Sequence, residues 1–167
     1  MVSLVVEDGT GLSTANTYVS QADATIYHGK HLYATDWTSA SSANMNIALT
    51  MATRMIDDHF SFEGKKVSDS QALEFPRHDI KDRSGYLIDA TTIPTALKNA
   101  TAEYARWLIQ SDRSAEEGET GFKNLQVGSL SLTPDPGDRK STIPDIVMKM
   151  LAPFGRPFGG MTAKVTR

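Results

Sequence analysis

At 167 residues, with 40% hydrophobic and 22% charged side chains, the chain suits one globular domain able to bury roughly two-thirds of its unfolded surface. Zero cysteines exclude disulfides, thiolate catalysis and zinc ribbons together, and a formal net charge of −3 argues against a general nucleic-acid binder, which needs a basic surface to displace phosphate counterions. No apolar run reaches about 18 residues, so no membrane span is expected, and an N-terminus without a basic region or long apolar core predicts no signal peptide.

Leu4-Val5-Val6 reads as a short strand or extended arm, turned by Asp8-Gly9-Thr10-Gly11. Ser20 with Asp23 predicts a capped first helix running to about Tyr27 or His28 and stopping near Gly29. Ser41 predicts a second cap, and Met45, Ala48, Leu49, Ala52, Met55, Ile56 and Phe60 recur at the spacing of one buried helix face. Met45, Met51 and Met55 suit an adaptable groove or core filling, and two of the three lie on the apolar stripe, which favours the core. Residues 61–93 read as irregular, and a loop of that length commonly serves function or orders on assembly. Within it, Pro76 biases Phe75 toward extended backbone, so Gln71-Ala72-Leu73-Glu74-Phe75-Pro76-Arg77 is expected to present Phe75 and Arg77 to another surface.

Pro94 opens a third helix at its favoured first position, with Leu97, Ala100, Thr101, Tyr104, Trp107 and Leu108 on its core face, ending by Ser111 or Asp112. Residues 122–133 switch to a period of two, Leu125 and Val127 before Gly128 and Leu130 and Leu132 after it, which predicts a β-hairpin. A last helix begins near Pro144 with Ile146, Val147, Met150 and Leu151 as its apolar face. The glycine- and proline-rich stretch from Pro153 to Gly160 is not expected to fold by itself. The expected architecture is therefore mainly α: a helical bundle over residues 1–151 with one small β-hairpin, extended N- and C-terminal arms, and a flexible C-terminal arm over residues 152–167.

Catalytic chemistry finds little to work with. Adjacent Asp57 and Asp58 point about 100° apart on a helix and cannot easily face one substrate atom. His78 beside Asp79 is the other acid–base candidate. No serine sits in a nucleophile elbow, and Gly9-x-Gly11 lacks the third glycine of a dinucleotide loop. His28 and His31, or Asp57, Asp58 and His59, are dispersed pairs rather than four converging metal ligands. No catalytic residue, metal or cofactor is expected.

Two features suit partners instead. Residues 1–60 carry six acidic and two basic side chains, whereas residues 143–167 carry four basic (Lys149, Arg156, Lys164, Arg167) and one acidic, a polarity suited to head-to-tail contact. Phe60, Phe62, Lys65, Lys66, Phe75, Arg77, Lys81, Arg83 and Tyr86 interleave aromatic and basic residues, as a single-stranded-DNA groove does, although six acidic residues balance the six basic ones over 61–100.

Val5-Val6-Glu7-Asp8-Gly9-Thr10-Gly11, then Ala15-Asn16-Thr17-Tyr18-Val19-Ser20, the Gln71–Arg77 segment, Gly85-Tyr86 and Ile93-Pro94 occur in an order that resembles a family of small tailed-phage proteins. Its members are often called DnaT-like single-stranded-DNA-binding proteins, and by genome context and fold they are similar to head–tail connector adaptors. The resemblance spans roughly Leu4 to Leu151. It implies a virion protein of the head–tail interface, assembled in the host cytoplasm as a dodecameric ring of copies beneath the portal protein. Such a ring extends the channel for packaged double-stranded DNA and meets a further tail or stopper component. On this reading Phe154, Arg156, Phe158, Lys164 and Arg167 form a portal-docking arm. Lys65, Lys66, Phe75, Arg77, Lys81, Arg83 and Tyr86 form an inter-subunit or nucleic-acid-facing loop. The alternative function is a single-stranded-DNA-binding replication accessory.

Overall fold

Ser20 caps the first helix as its sequence predicts: its hydroxyl accepts the Asp23 N–H at 3.0 Å and donates to the Asp23 carboxylate at 2.7 Å. That helix is α1, Gln21–His28. A single turn, α2 (Thr35–Thr38), follows and drives Trp37 into the core. Ser41 caps α3 (Ser42–His59) through the Asn44 N–H, and Met45, Ala48, Leu49, Ala52, Met55 and Ile56 are all buried along it. The structure, a computed structural model, describes residues 3–113, 125–127, 130–132 and 142–158.

Pro94 stands one position outside the third long helix, α4 (Thr95–Gln110), rather than inside its first turn. This helix is the axis of the domain and packs against α3, α1, α2 and the last helix, α5 (Asp145–Leu151). Its small buried residues Ala100, Ala102 and Ala105 let neighbours approach on several sides. The expected face holds at Leu97, Ala100, Thr101 and Tyr104, while Trp107 and Leu108 are only half-buried as the helix runs out of cover. In α5 the buried face is Val147 and Leu151, and Ile146 is exposed, because seven residues present one narrow stripe to α4.

The fold is mainly helical, as expected, but its strands extend beyond one hairpin. Phe60–Phe62 forms β1, Lys65–Lys66 forms β2 and Arg77–His78 forms β3, with β2 and β3 antiparallel. The expected hairpin is present as β4 (Leu125–Val127) and β5 (Leu130–Leu132), with Leu125 opposite Leu132 and Val127 opposite Leu130. The N-terminal Leu4-Val5-Val6 is no full strand; it makes one parallel bridge, Val6 to Thr17. Its next residue, Glu7, is buried and accepts the N–H groups of Gly9, Gly11 and Leu12 at 2.9–3.0 Å, so the glycine-rich turn wraps a carboxylate. Gly9 has φ +101°, and a Cβ there would lie 1.7 Å from the Thr91 carbonyl oxygen.

The expected flexible arm starts too early at residue 152. Ala152–Phe154 is a 3-10 turn, Phe154 is buried, and Gly155–Pro157 forms β6, antiparallel to β1 with Phe60 opposite Pro157 and Phe62 opposite Gly155. The reason is local. Phe154 packs edge-on to Phe75 with ring centroids 6.2 Å apart, and Gly155 lets the strand come close, since a Cβ there would stand 2.1 Å from the Ser61 carbonyl oxygen. Backbone bonds from Glu63 N–H to the Phe154 carbonyl and from Phe158 N–H to the His59 carbonyl, both 2.8 Å, close the two ends. Gly155→Ala is expected to overpack this ladder and cost about 1–3 kcal/mol, measurable as an earlier denaturant midpoint at unchanged m-value.

Candidate interaction surface

The Gln71–Arg77 segment fastens the domain rather than projecting from it. Gln71 is buried; its amide donates to the Leu73 and Pro76 carbonyls and accepts the Ser68 N–H, which sets the local turn. Phe75 lies in an aromatic cluster with Phe62 (centroids 4.9 Å apart) and Tyr18 (6.4 Å). Arg77 folds back: its guanidinium donates to the carbonyls of Glu63 at 2.7 Å, Gly64 at 3.0 Å and Glu74 at 3.1 Å, and pairs with the Glu74 carboxylate at 2.7 Å. Lys66 holds the other Glu74 oxygen at 2.9 Å. A Phe-Pro-Arg string carries an apolar ring and a five-donor fork, and nothing in its local pattern says whether their partners are internal.

Beneath this segment lies a polar node. The Tyr18 hydroxyl donates to Asp57 at 2.6 Å and accepts the Phe75 N–H at 3.2 Å, while the other Asp57 oxygen accepts the Glu74 N–H at 3.1 Å. Asp57 is only half-buried as a whole residue, but its carboxyl is the enclosed part, and burial pushes it up from 3.8 to about 7 against the lowering effect of those hydrogen bonds. Burial first, and then Asp57, raise the Tyr18 phenol well above its ordinary value. Asp58 is exposed, so the two carboxylates weighed as an acid–base pair occupy different environments.

A second buried node joins α1 and α2 to α4. Glu103 pairs with Arg106 and accepts the Trp107 indole N–H at 3.1 Å, and Arg106 donates to the Tyr33 carbonyl at 3.3 Å. His28 is buried against Trp37, its Nε2 2.9 Å from the Ala102 carbonyl, and burial lowers its pKa. That ring nitrogen is therefore occupied, and among the described residues no group of three or more side chains is placed to hold a metal ion. Sequence reading passed over Glu7, Glu103 and Arg106; the only signal was that Glu103 and Arg106 fall on the α4 face that also carries buried residues.

Of the loop residues singled out from the sequence, Phe75 and Arg77 are internal and Lys66 is paired. Lys65, Lys81, Arg83 and Tyr86 remain exposed. The last three stand on one built tip. Asp82 accepts the Ser84 and Tyr86 N–H groups at 2.8 and 2.9 Å, its own N–H reaches the Tyr86 carbonyl, and Ile88 N–H bonds the carbonyl of buried Ile80. Gly85 turns the tip at φ +89°. Tyr86 and Leu87 are thereby held out at 74% and 69% exposure, and Arg83 crosses to donate to the Lys149 carbonyl at 3.1 Å. The tip is thus apolar at its end and basic along its α5 side.

Of the expected docking arm, Phe154 is core, Arg156 and Phe158 are exposed at the end of β6, and Lys164 and Arg167 lie outside the described residues. The acidic half of the chain is less acidic outside than it reads, because the Glu7 and Asp57 carboxyls are used internally. Other exposed apolar side chains are Ile26, Leu32 and Tyr33 around α1 and α2, and Ile47 on α3. Among the described residues no helix is long and apolar enough to cross a membrane. The family model described as "Putative DnaT-like ssDNA binding protein" matches residues 2–167. No curated protein and no solved structure matches the chain.

Proposed function

The chain belongs to the DnaT-like single-stranded-DNA-binding family, and from the resemblance of its motif order to head–tail connector adaptors we propose that it serves as a structural head–tail connector of a tailed phage. Copies form a ring, dodecameric by the family resemblance, that docks on the portal protein, extends the channel for packaged double-stranded DNA and receives a further tail or stopper component. The protein is not an enzyme on this reading and acts in the virion. One observation carries it: three of the four aromatic side chains that would stack on single-stranded bases, Phe60, Phe62 and Phe75, are buried and only Tyr86 is exposed, whereas further exposed apolar residues, Ile26, Leu32, Tyr33 and Ile47, suit protein contact. A net charge of −3 also suits a channel through which DNA must slide without sticking.

The test is to mix the purified protein with portal rings from the same genome and view the particles by negative-stain electron microscopy. An added ring of density at the outer end of the portal is the expected result, and bare portals overturn the proposal. Truncation to probe the tail belongs after Phe158, since a cut after Leu151 removes β6 and Phe154 and tests folding instead.

The family description favours a second reading, single-stranded-DNA binding, and Lys81, Arg83, Tyr86 and Lys149 are the residues that serve it. It predicts affinity for a labelled oligonucleotide whose logarithm falls linearly with log salt, by roughly 0.7 per phosphate neutralised. Arg83→Ala with Lys149→Ala then lowers that slope by about one to two contacts; a salt-independent or absent affinity removes this reading.

A further inference from the structure

We propose that His28 is an acid-operated catch: on taking up a proton it releases the corner made by the end of α1, the α1–α2 loop and α2 from α4, while the rest of the domain stays folded. The corner is tied together internally. Trp37 of α2 donates its indole N–H to the Thr25 hydroxyl of α1 at 3.2 Å. The first turn of α1 is held separately by α3, where the Gln21 amide donates to the Met45 sulfur at 3.3 Å and accepts from the Ser42 hydroxyl at 2.9 Å. The connecting loop keeps Lys30, Leu32 and Tyr33 in solvent. Polar contact between the corner and α4 runs from His28 to the Ala102 carbonyl at 2.9 Å, from Arg106 to the Tyr33 carbonyl at 3.3 Å and from the Tyr27 hydroxyl to Glu103 at 3.4 Å.

This catch needs a neutral ring. A carbonyl only accepts, so Nε2 of His28 carries the hydrogen and Nδ1 keeps a bare lone pair. Nδ1 is buried and has no hydrogen-bond partner among the described residues. A proton added there makes an N–H with nothing to accept it. It also places a charge in a site 1% exposed, between the Tyr27 ring at 5.0 Å and the Trp37 ring at 4.8 Å. The other charged or titratable groups facing the ring are Glu103 and Arg106 of α4 and His31 of the loop. Arg106 and His31 oppose the proton. Glu103 favours it but already pairs with Arg106 and accepts the Trp107 indole N–H.

Burial, the largest effect, holds His28 below its ordinary 6.5 against the favourable Ala102 bond and Glu103. In the open corner the ring titrates near that ordinary value, so as pH falls the open form takes up the proton first. The closed form is therefore fully favoured above 6.5, and its ratio to the open form falls by up to about tenfold per pH unit below it. Opening of this kind is local, and it uncovers Trp37 and the small α4 residues Ala102 and Ala105.

Amide hydrogen exchange of the full chain, read by mass spectrometry from about pH 7.5 to about pH 5 and corrected for the intrinsic rate, tests the catch. Peptides spanning Tyr27 to Trp37 are expected to lose protection by up to about tenfold per pH unit below the ordinary histidine value, while those of α3 keep theirs. Constant protection at the corner overturns the proposal, and so does an equal loss in α3, which is global unfolding. His28→Gln retains an N–H for the Ala102 carbonyl but holds no titrating proton, so its corner protection is expected to stay level with pH; a loss as steep as the parent's overturns the catch. The nuclear magnetic resonance titration of the His28 ring in the parent needs no variant. It is expected to run alongside the loss of protection, and a ring that titrates while the Tyr27–Trp37 amides remain protected overturns the coupling.

Discussion

Phe75→Ala is expected to lower the unfolding free energy by about 3–5 kcal/mol, a large part of the 5–15 kcal/mol typical of a domain. The ring is almost wholly buried and touches three parts of the fold at once: Phe62 of β1, Tyr18 ahead of α1, and Phe154 next to β6. Its loss leaves a cavity that cannot collapse, because each wall belongs to a different element. Phe158→Ala, by contrast, is expected to change stability by no more than about 0.5 kcal/mol, since that ring is 63% exposed. Guanidinium unfolding of both variants checks the pair. Near-equal midpoints would show that Phe75 does not join the three elements as described, and would return it to the role of a docking residue.

Asp57→Asn is expected to flatten the dependence of stability on pH. Burial raises the Asp57 carboxyl from 3.8 to about 7, so between those values the folded chain holds a proton that the unfolded chain has released. Stability from this group is therefore greatest in acid, falls as pH rises through that window, and levels off above about pH 7. The full window corresponds to at most about 4 kcal/mol. Asparagine keeps an oxygen for the Tyr18 hydroxyl but holds no titrating proton. Subtracting the variant's stability from the parent's at a series of pH values should give a difference that declines from about pH 4 to about pH 7. A constant difference would show that Asp57 titrates alike in both states.

Helix positions were legible in the sequence where capping and spacing agreed. Ser20 with Asp23 and Ser41 with the stripe from Met45 to Ile56 mark α1 and α3 almost to the residue. The hairpin followed from the alternation of Leu125, Val127, Leu130 and Leu132. What escaped was long-range closure. β1 and β6 are three residues each and carry no usable period, and their partnership depends on a glycine whose missing side chain admits the other strand. The same limit explains Phe75 and Arg77. Their chemistry is equally suited to a partner protein or to the chain's own interior, and only the backbone of residues 63–64 and the rings at 62 and 154 decide between them. The exposed tip was half legible: Arg83 and Tyr86 were marked as reaching outward, but the Asp82 turn that stiffens them and the Lys149 neighbour were not.

Pairing of β6 with β1 also bears on biosynthesis. A nascent chain on the ribosome can form α1 and α3 early, yet it cannot cover Phe60, Phe62 and Phe75 until residues 154–157 have been made. A product that stops short of Phe154 leaves those rings open to proteases and chaperones, which recognise exposed apolar surface. A chain that lacks the strand is therefore expected to be cleared faster than the full chain, so that β6 ties persistence to completed synthesis.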